Sequence, residues 1–355
     1  MLRTRLTSQL LAGPPAHDPI EVAERLLAVQ AQDLRGAMLS VRARSAAVTS
    51  ADIERALTVD RSLVVAWLNR GTLHLVRSQD YPWLLQLTAP GLATASSRWL
   101  AQHGVSANLA ERGVAVITKA LAKEGPMTRP EIRERLRAAG VPAQGQGPLA
   151  VLFLAGRRGL VVRGPVVGRQ QAIVLVRDWL AEAKPVPRES ALVELARRYL
   201  AGHGPATDRD LAQWSGLPLG EARTGVSGLG SVLKVREDGL LELAEHPAAA
   251  PMPGPKLLGQ YDPLLLGWKS REQILGAHKV VVTVNGLFRP FALVEGRAAG
   301  TWSLRGAQVA LQPFAELEAS ASAALEADAR DIARFFGMPY QPMRDARTAG
   351  PGAQP

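Results

Sequence analysis

Apolar residues near the start of this chain recur with a helical period. Ile20, Ala23, Leu26 and Leu27 form one stripe, led by Asp18 in a capping position, Pro19 at the first helical position and Glu21 at the third. Extending the stripe by three or four residues reaches Gln30, so an amide stands where an apolar residue is expected. Gln32 follows two residues later, which on a regular helix is about 200° away. Both amides can face one pocket only if the helix ends or distorts there, with Leu34-Arg35-Gly36 as the expected exit. On spacing alone, a core or capping amide satisfied by nearby backbone is the plainer alternative.

A second pattern repeats along the chain: Thr, two residues, an acid, then Ile or Leu, each time opening an apolar-periodic segment. The copies are Thr49-Ser50-Ala51-Asp52-Ile53, Thr128-Arg129-Pro130-Glu131-Ile132 and Thr207-Asp208-Arg209-Asp210-Leu211. Thr and an acid three residues on can satisfy each other's backbone amides at a helix start. The threonines stand 79 residues apart both times, from 49 to 128 and from 128 to 207. That period is too long for a solenoid repeat and suits a small module. Helical stretches, Leu109 to Lys123 and Glu189 to Ala201, precede Gly125-Pro126 and Gly204-Pro205 in the second and third copies. Each copy ends in a β-rich hairpin: Gly71 to Val76, Gly159 to Val176 and Ser231 to Leu243.

Three helices and a wing make a winged helix. The expected class is therefore α+β, with winged-helix modules over 1–100, 101–183 and 184–250. The second wing carries Arg163-Gly164-Pro165 and Gly168-Arg169-Gln170-Gln171 at its expected tip, where Arg163 and Arg169 reach a phosphate or a groove. A merely solvated basic loop is the alternative.

From about Lys256 the apolar period changes to two. Val280 to Val284, Asn285-Gly286 and Leu287 to Val294 predict a hairpin, and Glu295-Gly296-Arg297 a further turn into Gly300 to Leu304. These runs, with a helix from about Glu316 to Phe336, define a β-rich, barrel-like domain over 251–340, and 341–355 is expected to be a disordered tail.

Composition narrows the partner. Forty-two Lys and Arg against 32 Asp and Glu leave a net charge of +10, which favours a polyanion such as nucleic acid, with an anionic membrane surface as the alternative. The absence of cysteine excludes disulfides and thiolate metal sites and fits a cytoplasmic location. The basic start Met1-Leu2-Arg3-Thr4-Arg5 meets no long apolar run before Pro14-Pro15, and no later stretch is long enough to span a bilayer. The six histidines are scattered, and Gly225-Val226-Ser227-Gly228 lacks a phosphate-loop lysine, so neither metal nor nucleotide cofactor is expected.

The run Leu26-Leu27-Ala28-Val29-Gln30-Ala31-Gln32-Asp33, followed by Trp67-Leu68-Asn69-Arg70-Gly71-Thr72-Leu73-His74-Leu75, resembles the winged-helix DNA glycosylase superfamily of AlkZ and AlkX, also called YcaQ. The run Leu257-Leu258-Gly259-Gln260-Tyr261-Asp262-Pro263 and the segment Gly296-Arg297 to Trp302 are similar to the same superfamily, so the likeness covers most of the chain. It implies a C-shaped molecule with a basic channel that binds double-stranded DNA as a monomer. The implied activity is removal of N7-alkylated purines, some of them in interstrand crosslinks. Gln30-Ala31-Gln32 matches the Gln-x-Gln form of the family signature, which implies Gln30 and Gln32 as catalytic residues and a specialist for bulky adducts or crosslinks. Asp33 is one position late for the Asp form.

That chemistry suits those residues. An N7-alkylated base is already a good leaving group, so a placed water and a stabilising environment suffice. An amide cannot act as a general base near neutral pH. No lysine precedes Lys119, which argues against a Schiff-base lyase built from the first module.

Arg70, Thr72 and His74 are the next DNA-contact candidates, Thr72 and His74 sharing a strand face. A structural histidine in the wing is the alternative for His74. Trp67 reads as core ahead of a base-stacking platform, Asp262 as a cap before Pro263, and Arg271 and Arg289 as basic surface in the β-rich domain. The rival function is a regulator reading intact sequence through recognition helices, which usually needs dimer symmetry. A noncatalytic architectural binder is a third reading.

Overall fold

The computed structural model describes residues 1–168 and 170–346 and is a mixed α+β fold. In chain order it contains α1 (Leu2–Ser8), α2 (Pro19–Leu26), β1 (Val29–Gln30), α3 (Leu34–Arg42), α4 (Ser50–Thr58), β2 (Leu63–Trp67), β3 (Leu73–Arg77), α5 (Tyr81–Thr88), α6 (Ala93–Gln102), α7 (Ala107–Glu124), α8 (Arg129–Ala138) and α9 (Gly147–Arg157). Next come β4 (Val161–Val167), β5 (Gln170–Leu175), α10 (Val176–Trp179), α11 (Arg188–His203), α12 (Asp208–Ser215), α13 (Leu219–Ser227), β6 (Leu233–Val235) and β7 (Leu241–Leu243). The last are β8 (Lys256–Leu258), α14 (Glu272–Leu275), β9 (Phe291–Val294), β10 (Arg297–Arg305), β11 (Gln308–Pro313), α15 (Ala319–Phe335) and β12 (Gln341–Asp345). No helix among the described residues is long and apolar enough to cross a membrane.

The repeated Thr-x-x-acid pattern opens α4, α8 and α12, and each copy closes on itself. Thr49 N donates to Asp52 at 2.8 Å and Asp52 N to Thr49 Oγ1 at 3.3 Å. Thr128 and Glu131 form the same reciprocal box, with Thr128 N donating to the carboxylate at 2.7 Å. Thr207 N donates to Asp210 at 2.9 Å and Asp210 N to Thr207 Oγ1 at 3.0 Å.

By packing, the described residues divide into two units. One holds Met1–Ile53, Ala196–Trp214 and the chain from Leu229 on; the other holds Glu54–Leu195 and Ser215–Gly228. In the second unit, α7, α8 and α9 precede the β4–β5 hairpin, and the strands take the order β3-β2-β4-β5, all antiparallel. Helix α9 is buried along nearly its whole length, in a core with Trp67, Ile117, Leu121, Ile132, Leu136 and Ile173. The hairpin turns at Gly168, which has φ +62°.

In the first unit, a five-stranded sheet runs β12-β11-β10-β9-β8, and α15 covers it through Leu257, Ala292, Trp302, Leu311, Leu325 and Ile332. The Glu295-Gly296 turn forms as expected, both residues having positive φ, and joins β9 to β10 in register from Val294↔Arg297. Three expectations differ from this unit. The sheet is open, since β12 and β8 are its outer strands and are not paired with each other among the described residues, whereas a barrel-like closure was expected. Val280 to Val294 makes no long hairpin: Asn285-Gly286 turns a short loop with one bridge, Val282↔Phe288, and Pro290, lacking an N–H, ends it. Residues 341–345, expected in the tail, form β12 parallel to β11. Arg169 and 347–355 lie outside the described residues.

Candidate active site

Asp18 caps α2 as its sequence position indicates, accepting from Ile20 N at 2.7 Å and Glu21 N at 2.8 Å. The helix stops at Leu26 because Leu27 turns into positive φ, +63°. Gln30 therefore lies on extended backbone in β1, 7% exposed, and Gln32 is exposed in the bend beyond it. The helix is thus interrupted before both amides, which removes the separation of about 200° that a regular helix would impose on them. The exit differs from expectation: Leu34-Arg35-Gly36 begins α3. Asp33 caps that helix, its carboxylate accepting from Gly36 N at 3.0 Å, which gives Asp33 a structural task.

Helix α3 is fixed from three directions. At its start, a Cβ on Gly36 would fall 2.4 Å from the Gln260 carbonyl oxygen, and one on Gly259 would fall 2.8 Å from the Gly36 oxygen, so two backbones meet with no room for side chains. At its end, Arg42 donates to Asp328 Oδ1 at 3.0 Å and Oδ2 at 2.9 Å, to Asp331 at 3.0 Å and to the Leu257 carbonyl at 3.0 Å. Just past the helix, fully buried Arg44 and Asp262 pair in bidentate fashion at 2.9 and 2.7 Å. The other Arg44 donors reach the Gln9 carbonyl at 2.9 Å, Gln9 Oε1 at 3.0 Å and the Ser40 carbonyl at 2.9 Å, which satisfies all five of its N–H groups. Asp262 also caps the following turn, accepting from Leu264 N at 2.9 Å, so the capping role read from Asp-Pro is half of its work.

The second unit holds the turn from Trp67 to His74. Arg70 is exposed and left-handed at φ +55°. Thr72 Oγ1 donates to the Asn69 carbonyl at 3.2 Å. His74 is 2% exposed, with Nδ1 3.0 Å from the Thr72 carbonyl. Burial above all, then the charge of Arg70, lowers its pKa to about 3 against the raising effect of that hydrogen bond. A buried neutral imidazole does not bind phosphate, so the geometry favours the structural alternative for His74. Asn69 has no exposed surface, and neither of its amide atoms has a hydrogen-bond partner among the described residues. Trp67 is core, edge-on to Phe153 with ring centroids 6.0 Å apart.

Arg163 is not at the wing tip. It lies inside β4, 5% exposed, where the strand bulges between Arg163 and Val166. The hairpin turns at Gly168 instead, because the bulge takes up Gly164-Pro165. In the first unit, Arg271 is half-buried over the Phe288 ring and donates to the Leu265 carbonyl at 2.7 Å, so it braces the fold. Arg289 is exposed and has no carboxylate partner among the described residues.

The sequence signature and the mixed α+β fold together define a DNA glycosylase. Residues 23–335 match the family model described as DNA glycosylase AlkZ-like, and the chain belongs to that family. It is 29% identical to the interstrand DNA cross-link repair glycosylase of Streptomyces sahachiroi, over 96% of each sequence. The solved structure of Streptomyces sahachiroi DNA glycosylase AlkZ is similar with a TM-score of 0.78 and 27% identity, covering 97% of this chain and 98% of that one.

Sequence reasoning passed over Arg44 and Gln9, took Gly36 for a helix exit, and gave Asn69 no role of its own. The close approach of Gly36 and Gly259 is a contact between distant segments, which neither glycine marks locally. Arg44 carried no signal either, being one arginine among many.

Proposed function

We propose that this glycosylase hydrolyses the N-glycosidic bond of N7-alkylated purines in double-stranded DNA, with Gln30 and Gln32 holding the attacking water. The early stop of α2 carries the reading, because it takes both amides off a helix and sets a buried and an exposed one on a loop braced by Asp33 and Gly36. Neither amide removes a proton; each orients water toward an oxocarbenium-like centre whose leaving base is already cationic. With no lysine before Lys119, this loop offers no Schiff-base nucleophile near it in sequence, and the product is an abasic site. The cross-link repair named for the Streptomyces relative extends the proposal to unhooking of interstrand crosslinks, in base excision repair or in self-resistance to an alkylating natural product.

Arg70, Thr72 and Arg289 are the proposed DNA contacts, and the helix–hairpin segments within 1–100, 101–183 and 184–250 the proposed winged-helix modules of a monomer. A regulator reading intact sequence finds no support in α9, the helix before the second wing, since its side chains are core and cannot line a groove.

Incubation with an N7-methylguanine duplex and with a crosslinked duplex tests the proposal. The unaltered protein releases base, and Gln30→Ala and Gln32→Ala do so about 100-fold more slowly. Absence of release from both substrates, with tight sequence-specific binding to undamaged DNA, overturns it.

A further inference from the structure

We infer that Arg163 and Arg129 together form an anchor for a single phosphate of the DNA backbone. Arg163 is held rigidly. Its guanidinium carbon lies 4.9 Å from the centroid of the Trp67 ring. That ring is itself fixed, because a Cβ on Gly156 would fall 2.5 Å from it and Phe153 meets it edge-on. The bulge after Arg163 needs Gly164, where a Cβ would lie 2.5 Å from Val174 Cγ1, and bulges of this kind re-aim a side chain out of the ladder.

The charge so placed is uncompensated. Arg163 is more than nine-tenths buried, yet among the described residues no carboxylate and no hydrogen-bond acceptor meets its guanidinium. What surface Arg163 keeps is small, 5%, so its stem is packed and its charge is held in one place. Burial first, then the neighbouring charge of Arg129, lowers its pKa to about 10, which leaves it a cation at neutral pH.

Arg129 comes from the adjoining element. Met127 and Ile173 bond each other in both directions at 3.1 and 2.6 Å, and Ile173 stands opposite Arg163 in the β4–β5 register. Arg129, two residues beyond Met127, is exposed at the start of α8 and has no carboxylate partner among the described residues. Other arginines of that helix are neutralised: Arg135 pairs with Glu124, and Arg137 with Glu134. Arg133 of the same helix also lacks a carboxylate partner among the described residues, but Arg129, at the helix start, is the one joined to the Arg163 hairpin through Met127 and Ile173. Placing like charges together without an anion is unfavourable, and a phosphodiester, which guanidinium groups bind in paired hydrogen bonds, removes the penalty.

The anchor requires DNA as partner but no particular lesion, so it is tested apart from base release. Fluorescence anisotropy of the full chain on an undamaged duplex is measured from ~50 to ~200 mM salt. Arg163→Gln lowers the slope of log affinity against log salt by about one and weakens binding about eightfold near 0.1 M. Arg129→Gln weakens binding in the same sense, and the double variant loses no more than about one in slope, as a shared phosphate requires. Wild-type affinity and slope in both variants overturn the proposal, as does a loss of two in the double variant. If Arg163→Gln does not fold, Arg129→Gln, on an exposed helix start, decides by itself.

Discussion

Arg44 and Asp262 have no exposed surface, and each satisfies the other along with neighbouring backbone. Removing one member leaves a buried charge without its counter-ion, so Asp262→Ala costs about 3–5 kcal/mol in denaturant unfolding. The double change Arg44→Met with Asp262→Leu falls nearer to wild type than either single change, because it removes both desolvated ions at once. A cost below ~1 kcal/mol for Asp262→Ala is the contrary result, and it reduces the pair to the worth of a surface salt bridge.

At the scale of elements, the meeting of Gly36 with Gln260 sets where α3 begins, and hence where the loop carrying Gln30 and Gln32 ends. Gly36→Ala pushes a methyl group into a carbonyl oxygen and shifts that start. Single-turnover base release is expected to fall by about 10²-fold, the penalty typical of a small misplacement of catalytic groups. Undiminished release in a folded Gly36→Ala protein removes the positioning role. The helix starts were legible in sequence because a capping box is local: the partners sit three residues apart, as at Thr207 and Asp210. The stop of α2 was not, since nothing in leucine favours the positive φ that Leu27 adopts, and the surrounding packing imposes it. Arg163 was misplaced for a similar reason: a bulge adds a residue to one strand without marking its sequence, so a tip counted from the glycines shifts. The Asn285-Gly286 signal was real but outweighed, because Val284 and Leu287 remain exposed and bury no face that would hold longer strands.

For the whole molecule, acid is the expected weakness. His74 in one unit and His203 in the other are buried, and their pKa values are lowered to about 3, in each case mainly by burial. The unfolded chain takes up those protons near pH 6.5, so it gains protons before the native state does, and stability falls as pH drops below that value. Melting temperatures at pH 7 and pH 5 should show the loss. His203 stacks on Tyr199 at 4.9 Å, so His203→Phe keeps the stack and flattens the pH dependence. An unchanged slope in that variant excludes His203 as a source.

The bracing of α3 has a consequence for how the enzyme comes into being. Its arginines wait for partners made much later in synthesis: Arg44 for Asp262, 218 residues on, and Arg42 for Asp328, 286 residues on. A ribosome that has already translated Gln30 and Gln32 thus still carries a chain in which the helix after them lacks these ion pairs. The bracing of α3 is complete only when α15 emerges, so the loop before it gains its final seat when the chain is nearly finished.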